Sequence, residues 1–469
     1  MNRKVLIITP FFAPQSHAAV FRAYKLAKYL PQFGWEPHVL TVDRNYLYNE
    51  DHGLLSELPP EVKVHTARYV EPSARGLRMA LGGRDRTFAG LKSRGELPTM
   101  SAEPRVSTPS RLSLLREYFL KRWAQSPDAY WTWYGPALRA AVKLVRLHDI
   151  PLVFTSADPF TCHRLGRTLQ RKGCRWVADL RDPHGYCLAM HSKFPDVFIR
   201  QRSIERDAVL HADAVTVASS AIALILADSY GDEAVRRSHF IPTGLDEAHL
   251  PDVGSTRPRP FPYLLFSGEY LSGYGSEFLE IFAAALERPE MRDSGVKLLV
   301  VGRVDVNRPQ VEAITQRLGI GDRIEMIDHV PQRELYRLLR GAEAGVLLSS
   351  RHFRWWCLYA KMVDYLALRK PVVAVLPDPS EARTRLTRAG LGVFLDGEIA
   401  ACGQMLASFL TEPWNRPAPV ADECDLYLAT TQVRSFVGVF ESLMNPTEPG
   451  SASRGPGNVF EAKHAPSFV

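Results

Sequence analysis

No stretch of this 469-residue chain is apolar for long enough to cross a bilayer. The best candidate, Ala214–Ala227, covers 14 residues and includes a threonine and two serines, whereas a spanning helix needs about 20 mostly apolar positions. The six cysteines (Cys162, Cys174, Cys187, Cys357, Cys402 and Cys424) form no CxxC pair and no metal-ligand spacing. That excludes a disulfide framework and a zinc finger and fits reduced thiols in a cytoplasmic protein. The opening MNRKVLIITPFFAP holds a short apolar run cut by Pro10 and Pro14, with no small-residue cleavage site. It reads as a first strand and not as a secretory signal. A GxGxxG loop, a serine-centred nucleophile motif, a fixed-period repeat and a nucleic-acid reader motif are all missing.

What is present is an ordinary globular composition, 46% hydrophobic and 23% charged, with a net charge of +7. The length exceeds one ordinary core and predicts two domains of comparable size. The positive balance points to an anionic partner, either a phosphorylated small molecule or an acidic membrane; nucleic acid is not expected. Much of the excess lies in Ser73–Trp123, where eleven Lys and Arg face four Asp and Glu. Within it, RLSLLREYFLKRW (111–123) alternates apolar and basic residues at helical spacing, the pattern of a membrane-surface helix or of an ordinary basic surface helix.

Strands and helices alternate almost throughout, which predicts an α/β class with parallel sheets. The first half offers strands at 4–9, 36–43, 151–157, 175–180 and 214–219, with helices near 20–34 and 135–147. The second half offers strands at 263–268, 296–302, 323–330, 344–350 and 371–377. PDVGSTRPRPFP (251–262) is a linker, and the aperiodic tail 445–469 is expected to be disordered. The domains are therefore 1–250, carrying the basic insertion 73–123, and 263–428, followed by a last helix at 429–444. Two such open sheets make a cleft lined by the carboxyl ends of strands, where ligands of this architecture bind.

The most informative stretch is LYAKMVDYLALRKPVVAV (358–375). It follows the strand-like AGVLLSS and starts a helix whose N-terminus suits a phosphate. Lys361 adds a full charge, and Asp364, three residues on, faces the same way. A carboxylate there can accept hydrogen bonds from both hydroxyls of a ribose. A nucleoside diphosphate would use both residues; a surface ion pair would also account for them.

This stretch, with DPSEARTRLTRAGLGVFLDG after it, resembles the nucleotide-sugar-binding region of glycosyltransferase family 4 and its GT-B relatives. Asp364 stands where that family usually has Glu, Ala360 precedes the lysine, Arg369 replaces a glycine, and Trp356 occupies the position of a further Glu. VLIITPFFAPQSHAAVFRAYKLAKYL is similar to the family's opening strand, loop and helix, with Ser16-His17-Ala18-Ala19 in place of a Gly-Gly loop. LVFTSADPF, WVADLRDPHG and IPTGLDEAHL resemble segments of a bacterial subgroup that builds cell-surface polysaccharides, Thr243 replacing an Asn. The matches run through most of residues 1–444.

The resemblance implies a GT-B fold, two Rossmann-like parallel-sheet domains facing a central cleft, with the last helix crossing back to the first domain. It implies metal-independent transfer of a sugar, with retention of configuration, from a nucleotide-sugar donor to a glycan or lipid-linked acceptor. No cofactor is expected, since the nucleotide sugar is a substrate, and the place of work is the cytoplasm, at the inner face of the membrane. On this reading Gly268, Gly302, Arg303, Lys361 and Asp364 bind the donor. Ser16, His17, Asp158 and Asp179 lie on the acceptor side, and Arg181 and Asp182 are the catalytic candidates. His163 and His184 are further cleft histidines. Two other readings fit: a sugar-nucleotide epimerase of the same architecture, and a catalytically silent nucleotide-sugar-binding protein.

Overall fold

A computed structural model of the chain describes residues 2–46, 48, 50–95, 118–119, 122–186, 194–250, 258–271, 275–305, 307–349, 355–412, 416 and 418–445. The chain divides into two compact units. The first runs to Ile241 and takes in the last helix from Val433; the second is Pro242–Gln432.

The first unit holds a seven-stranded parallel sheet built from β1 (Lys4–Ile8), β2 (Glu36–Val42), β3 (Lys63–Ala67), β4 (Leu152–Ala157), β5 (Arg175–Leu180), β6 (Ala214–Val217) and β7 (Ser238–Phe240), in the order β3-β2-β1-β4-β5-β6-β7. The second holds six parallel strands: β8 (Tyr263–Ser267), β9 (Lys297–Val301), β10 (Ile324–Ile327), β11 (Ala344–Leu348), β12 (Val372–Val375) and β13 (Gly392–Phe394), in the order β10-β9-β8-β11-β12-β13. Both sheets are doubly wound, as the alternating pattern predicts. Each reverses its strand order once, at β1/β4 and at β8/β11, and that reversal opens a crevice at the carboxyl ends.

Covered parallel strands are apolar on both faces, and here alternate residues feed opposite layers. Leu264, Phe266, Leu298, Val300 and Val346 pack into one core of the second unit. Their neighbours Tyr263, Leu265, Leu299, Val301 and Leu347 pack into the other. The strands that periodicity misses, β3, β7 and β13, are all at sheet edges. β3 shows why: KVHTA is largely exposed, so no apolar run marks it. The basic helix expected at 111–123 lies mostly outside the described residues, and so do most of the linker 251–262 and nearly all of the tail.

The last helix, Ala429–Met444, starts in the second unit, where Glu247 accepts from the backbone N–H groups of Ala429 (3.0 Å) and Thr430 (3.1 Å). Such a carboxylate satisfies donors that a helix start leaves open. Further on, Phe436 and Phe440 meet Phe154 and Trp35 edge-on in the core of the first unit.

Beneath the loops of the first unit sits a buried ion pair. Arg22, on the helix Phe21–Tyr29, reaches Asp179 of β5 at 2.7 Å, and both side chains are essentially without exposed surface. A second guanidinium nitrogen bonds the same carboxylate at 2.9 Å, Ser156 of β4 donates at 2.8 Å and Thr216 of β6 at 2.7 Å. Phe436 covers the guanidinium at 5.1 Å. Burial pushes the Asp179 carboxyl up, but Arg22 and the two hydroxyls outweigh it and hold the group below its usual range. Removing one partner leaves a buried charge uncompensated. Asp179→Ala should therefore cost about 3–5 kcal/mol in urea unfolding, and Arg22→Met with Asp179→Leu should recover most of it. A cost under about 1 kcal/mol, the range of a surface pair, would refute this account.

Candidate functional site

In the second unit, the chain after β8 and the chain after β9 meet back to back at the carboxyl edge. Gly268 has φ +118° and Gly302 φ +144°, and a Cβ at Gly302 would lie 2.6 Å from the Gly268 carbonyl oxygen. No other residue type fits that approach. Lys361, second residue of the helix Ala360–Ala367, extends to this corner. Its Nζ lies 3.6 Å from the centre of the Phe266 ring and about as far, 3.5 Å, from where a Gly268 Cβ would be. Tyr359, at the helix N-cap, gives no side-chain cap, its hydroxyl going instead to Ser349 after β11. The corner thus combines glycine backbone, a helix N-terminus and an ammonium group, the elements of an anion cradle. Burial pulls the Lys361 ammonium down to about 7.

Asp364 shares the helix face but turns to a different partner, accepting from the Tyr336 hydroxyl at 3.2 Å, which is in turn held by Gln332. Burial and the neighbouring carboxylate push the Tyr336 phenol up. Arg303 follows Gly302 directly and faces Glu269 at 3.7 Å with its side chain 56% exposed. The structure therefore brings Gly268, Gly302, Arg303 and Lys361 to one edge, with Asp364 one turn along the helix. Trp356 is buried.

The first unit gathers its candidates around the carboxyl ends of β1, β4 and β5. Ser16 and His17 are half-buried in the loop after β1. The His17 ring stacks on Tyr48 at 3.8 Å and meets Phe11 edge-on at 5.0 Å. Burial, with Arg181 nearby, lowers it to about 4, so it is neutral at neutral pH. Arg181 donates to the backbone carbonyls of Ala157, Ala19 and Asp158, at 2.9, 3.1 and 2.6 Å. It pins the loops after β1 and β4 together, so its donors position backbone. Asp158 is half-exposed and pairs with buried His184 at 3.1 Å; burial pulls the His184 pKa down, but Asp158 with Asp182 and Glu205 together push it up. Asp182 is exposed on the loop after β5. Asp179, expected on the acceptor side, is corrected by the geometry. It has no exposed surface and both oxygens are engaged by internal donors, so it cannot touch a ligand. His163 is likewise internal, with Nδ1 2.9 Å from Thr155 Oγ1.

Two features escape sequence reasoning. Asp128 accepts from the backbone N–H of Thr161 (2.7 Å) and of Tyr130 (2.8 Å), at the start of the helix Phe160–Gln170, and burial raises it to about 6. A pocket of about 290 Å³ opens beside the loop after β1, lined by Gln15, Asp43, Arg44, Glu50 and Asp85 among others. Its walls come from four separate segments, and no local motif announces it.

Neither a scan of protein-family models nor a search of curated proteins finds a match to the chain. Among solved structures it is similar to a sucrose-phosphate synthase from Thermosynechococcus elongatus, 15% identical over 95% of this chain and 100% of that one, with a TM-score of 0.58. It is similar to Anabaena HepE in complex with UDP and glucose, 13% identical over 94% of this chain and 99% of that one, TM-score 0.53. A Listeria monocytogenes protein assigned as a UDP-N-acetylglucosamine 2-epimerase is 10% identical over 96% and 98%, TM-score 0.51. At these identities the likeness defines the fold: the chain has the GT-B fold, with two Rossmann-like parallel-sheet domains.

The depressed Lys361 makes stability depend on pH. In the unfolded chain a lysine titrates near 10.4; in the fold this one titrates at about 7. Between those values the unfolded state holds the extra proton, so the ligand-free protein should gain stability from this residue as pH rises through that window. The difference in melting temperature between wild type and Lys361→Met should change in that direction from pH 7 to 9.5; parallel curves would contradict the assignment.

Proposed function

We propose that this protein is a glycosyltransferase that moves a sugar from a nucleotide-sugar donor to a glycan or lipid-linked acceptor in cell-surface polysaccharide synthesis. The observation that carries the reading is the anion cradle of Gly268, Gly302, Lys361 and the helix start at Ala360, at the strand reversal of the second sheet. The donor diphosphate sits in that cradle. Lys361 neutralises the charge that grows on the leaving group, an electrostatic task a preorganised cation performs without a metal. Arg303 leaves Glu269 for a phosphate oxygen, and Asp364, braced by Tyr336, accepts from the ribose hydroxyls. The acceptor lies against the first unit, near the pocket beside the β1 loop, with Asp158 and Asp182 as the carboxylates on that side. Transfer retains the anomeric configuration. The similarity to HepE, whose structure contains UDP and glucose, supports the donor class. A second reading, epimerisation of a UDP-sugar with no acceptor, is favoured by the epimerase-like neighbour.

A mass-spectrometric screen of UDP- and GDP-sugars, with and without lipid-linked acceptors, tests the proposal. Acceptor-dependent glycosylated product supports transfer. A product isomeric with the donor supports epimerisation, and unchanged donors that also fail to raise the melting temperature refute both. Within the transfer reading, Lys361→Ala should lower kcat more than it raises the donor KM, because its contact strengthens in the transition state. Asp364→Asn should chiefly weaken donor binding, by roughly 1–3 kcal/mol. Wild-type kinetics in both variants would place the donor elsewhere.

The basic segment docks the protein peripherally on anionic lipid. No helix among the described residues is long and apolar enough to cross a membrane. Leu77, Leu81, Phe119 and Trp123 are nonetheless exposed in a segment rich in arginine. Each basic residue at an anionic surface contributes about 1 kcal/mol, screened by salt. Co-sedimentation with phosphatidylserine vesicles at low ionic strength should fall away in high salt; its absence at low salt, or indifference to salt, would rule this docking out.

A further inference from the structure

At the amino edge of the first sheet, far from the loops just described, three histidines converge. His38 lies near the start of β2, His65 on the edge strand β3, and His148 is the last residue of the helix Tyr134–His148, which leads into β4. We propose that His38, His65 and His148 form a binding site for a divalent transition-metal ion of the zinc type, tying β2, β3 and the helix end together.

One ligand atom from each ring lies within 4.8 Å of the other two. His38 Nδ1 and His65 Nε2 are 3.2 Å apart. Two nitrogens bound at about 2.0–2.1 Å to one tetrahedral ion would be roughly 3.3–3.4 Å apart. The His38–His65 pair is already at that spacing, and the His148 ring, within 4.8 Å of both, closes on the ion by a small shift.

The tautomer of His38 is set by its other nitrogen. His38 Nε2 lies 2.9 Å from a Glu36 oxygen, and Lys63 bonds the same oxygen. Lys63 and Glu36 form an ion pair. An ionised carboxylate can only accept, so Nε2 carries the proton and Nδ1 turns a lone pair toward His65. Carboxylate to histidine to metal is the outer-shell arrangement that orients ligands in metal sites.

His38 has no exposed surface, and His65 and His148 are half-buried. Lys63, paired with Glu36, lies beside the cluster, and Lys4 donates to the His148 backbone carbonyl at 3.0 Å. Borderline ions such as zinc, cobalt or nickel suit an all-imidazole donor set.

The test uses the full chain, stripped with a chelator and titrated with Co²⁺ and then Zn²⁺. One equivalent should bind, giving visible cobalt absorption without a thiolate charge-transfer band and raising the melting temperature, while Mg²⁺ does neither. His65→Ala and His148→Ala should each abolish that shift, and Glu36→Gln should weaken binding about 10–100-fold. Should a variant fold poorly, protection of His65 and His148 from diethyl pyrocarbonate by Zn²⁺ in the wild type gives the same answer, with exposed His52 and His211 as unprotected controls. Lack of saturable binding, binding unchanged in the variants, a thiolate band or equal protection of the controls would each overturn the site. None of these readouts depends on glycosyl transfer.

Discussion

The first unit is organised around the charge of Asp179. A carboxylate with no exposed surface is tolerable only if every lone pair is engaged, and here the donors come from three directions: Arg22 from the helix after β1, Ser156 from β4 and Thr216 from β6. Meeting that requirement fixes the first helix against the middle of the sheet. It thereby sets where the loop carrying Ser16 and His17 must run. Arg181, two residues beyond Asp179, then fastens that loop to the one after β4 through backbone carbonyls. The half-exposed groups Asp158 and His17 sit on the loops that this buried frame holds.

The second unit uses burial for the opposite purpose. Lys361 is enclosed over Phe266 without the full hydration of a surface lysine, and its charged form is disfavoured in consequence. A cation held so is most stabilised when an anion arrives. Tyr336, against Asp364, supplies a comparable brace on the next turn. An exposed i,i+3 ion pair would instead have been hydrated and screened.

Which parts were legible in advance follows from the range of the interactions. Buried central strands carry uninterrupted apolar runs, so β1, β4, β8 and β11 could be read locally. Edge strands such as β3 and β7 pair on one side only and carry no such run. LYAKMVDYLALRKP identifies a helix start with a cation and a carboxylate, because i,i+3 geometry is local. It says nothing about Phe266 or Tyr336, nearly a hundred and nearly thirty residues away in the chain. Asp179 misleads for the same reason: the motif around it has the look of a site, and only Arg22 reveals a core group.

The sequence by itself determined the two-sheet α/β class and the helix start on which a donor site could be built. These depend on periodicity and near neighbours along the chain. The tertiary structure alone decided which polar residues are functional candidates and which are framework, because burial and partnership are set by contacts across the sheet. It moved Asp179 inward, lowered Lys361, and assembled His38, His65 and His148, separated in sequence by 27 and 83 positions, at one edge. Spacing rules for metal ligands apply within a loop or a helix; they cannot register three histidines whose meeting is imposed by β2, β3 and the end of a helix packing side by side.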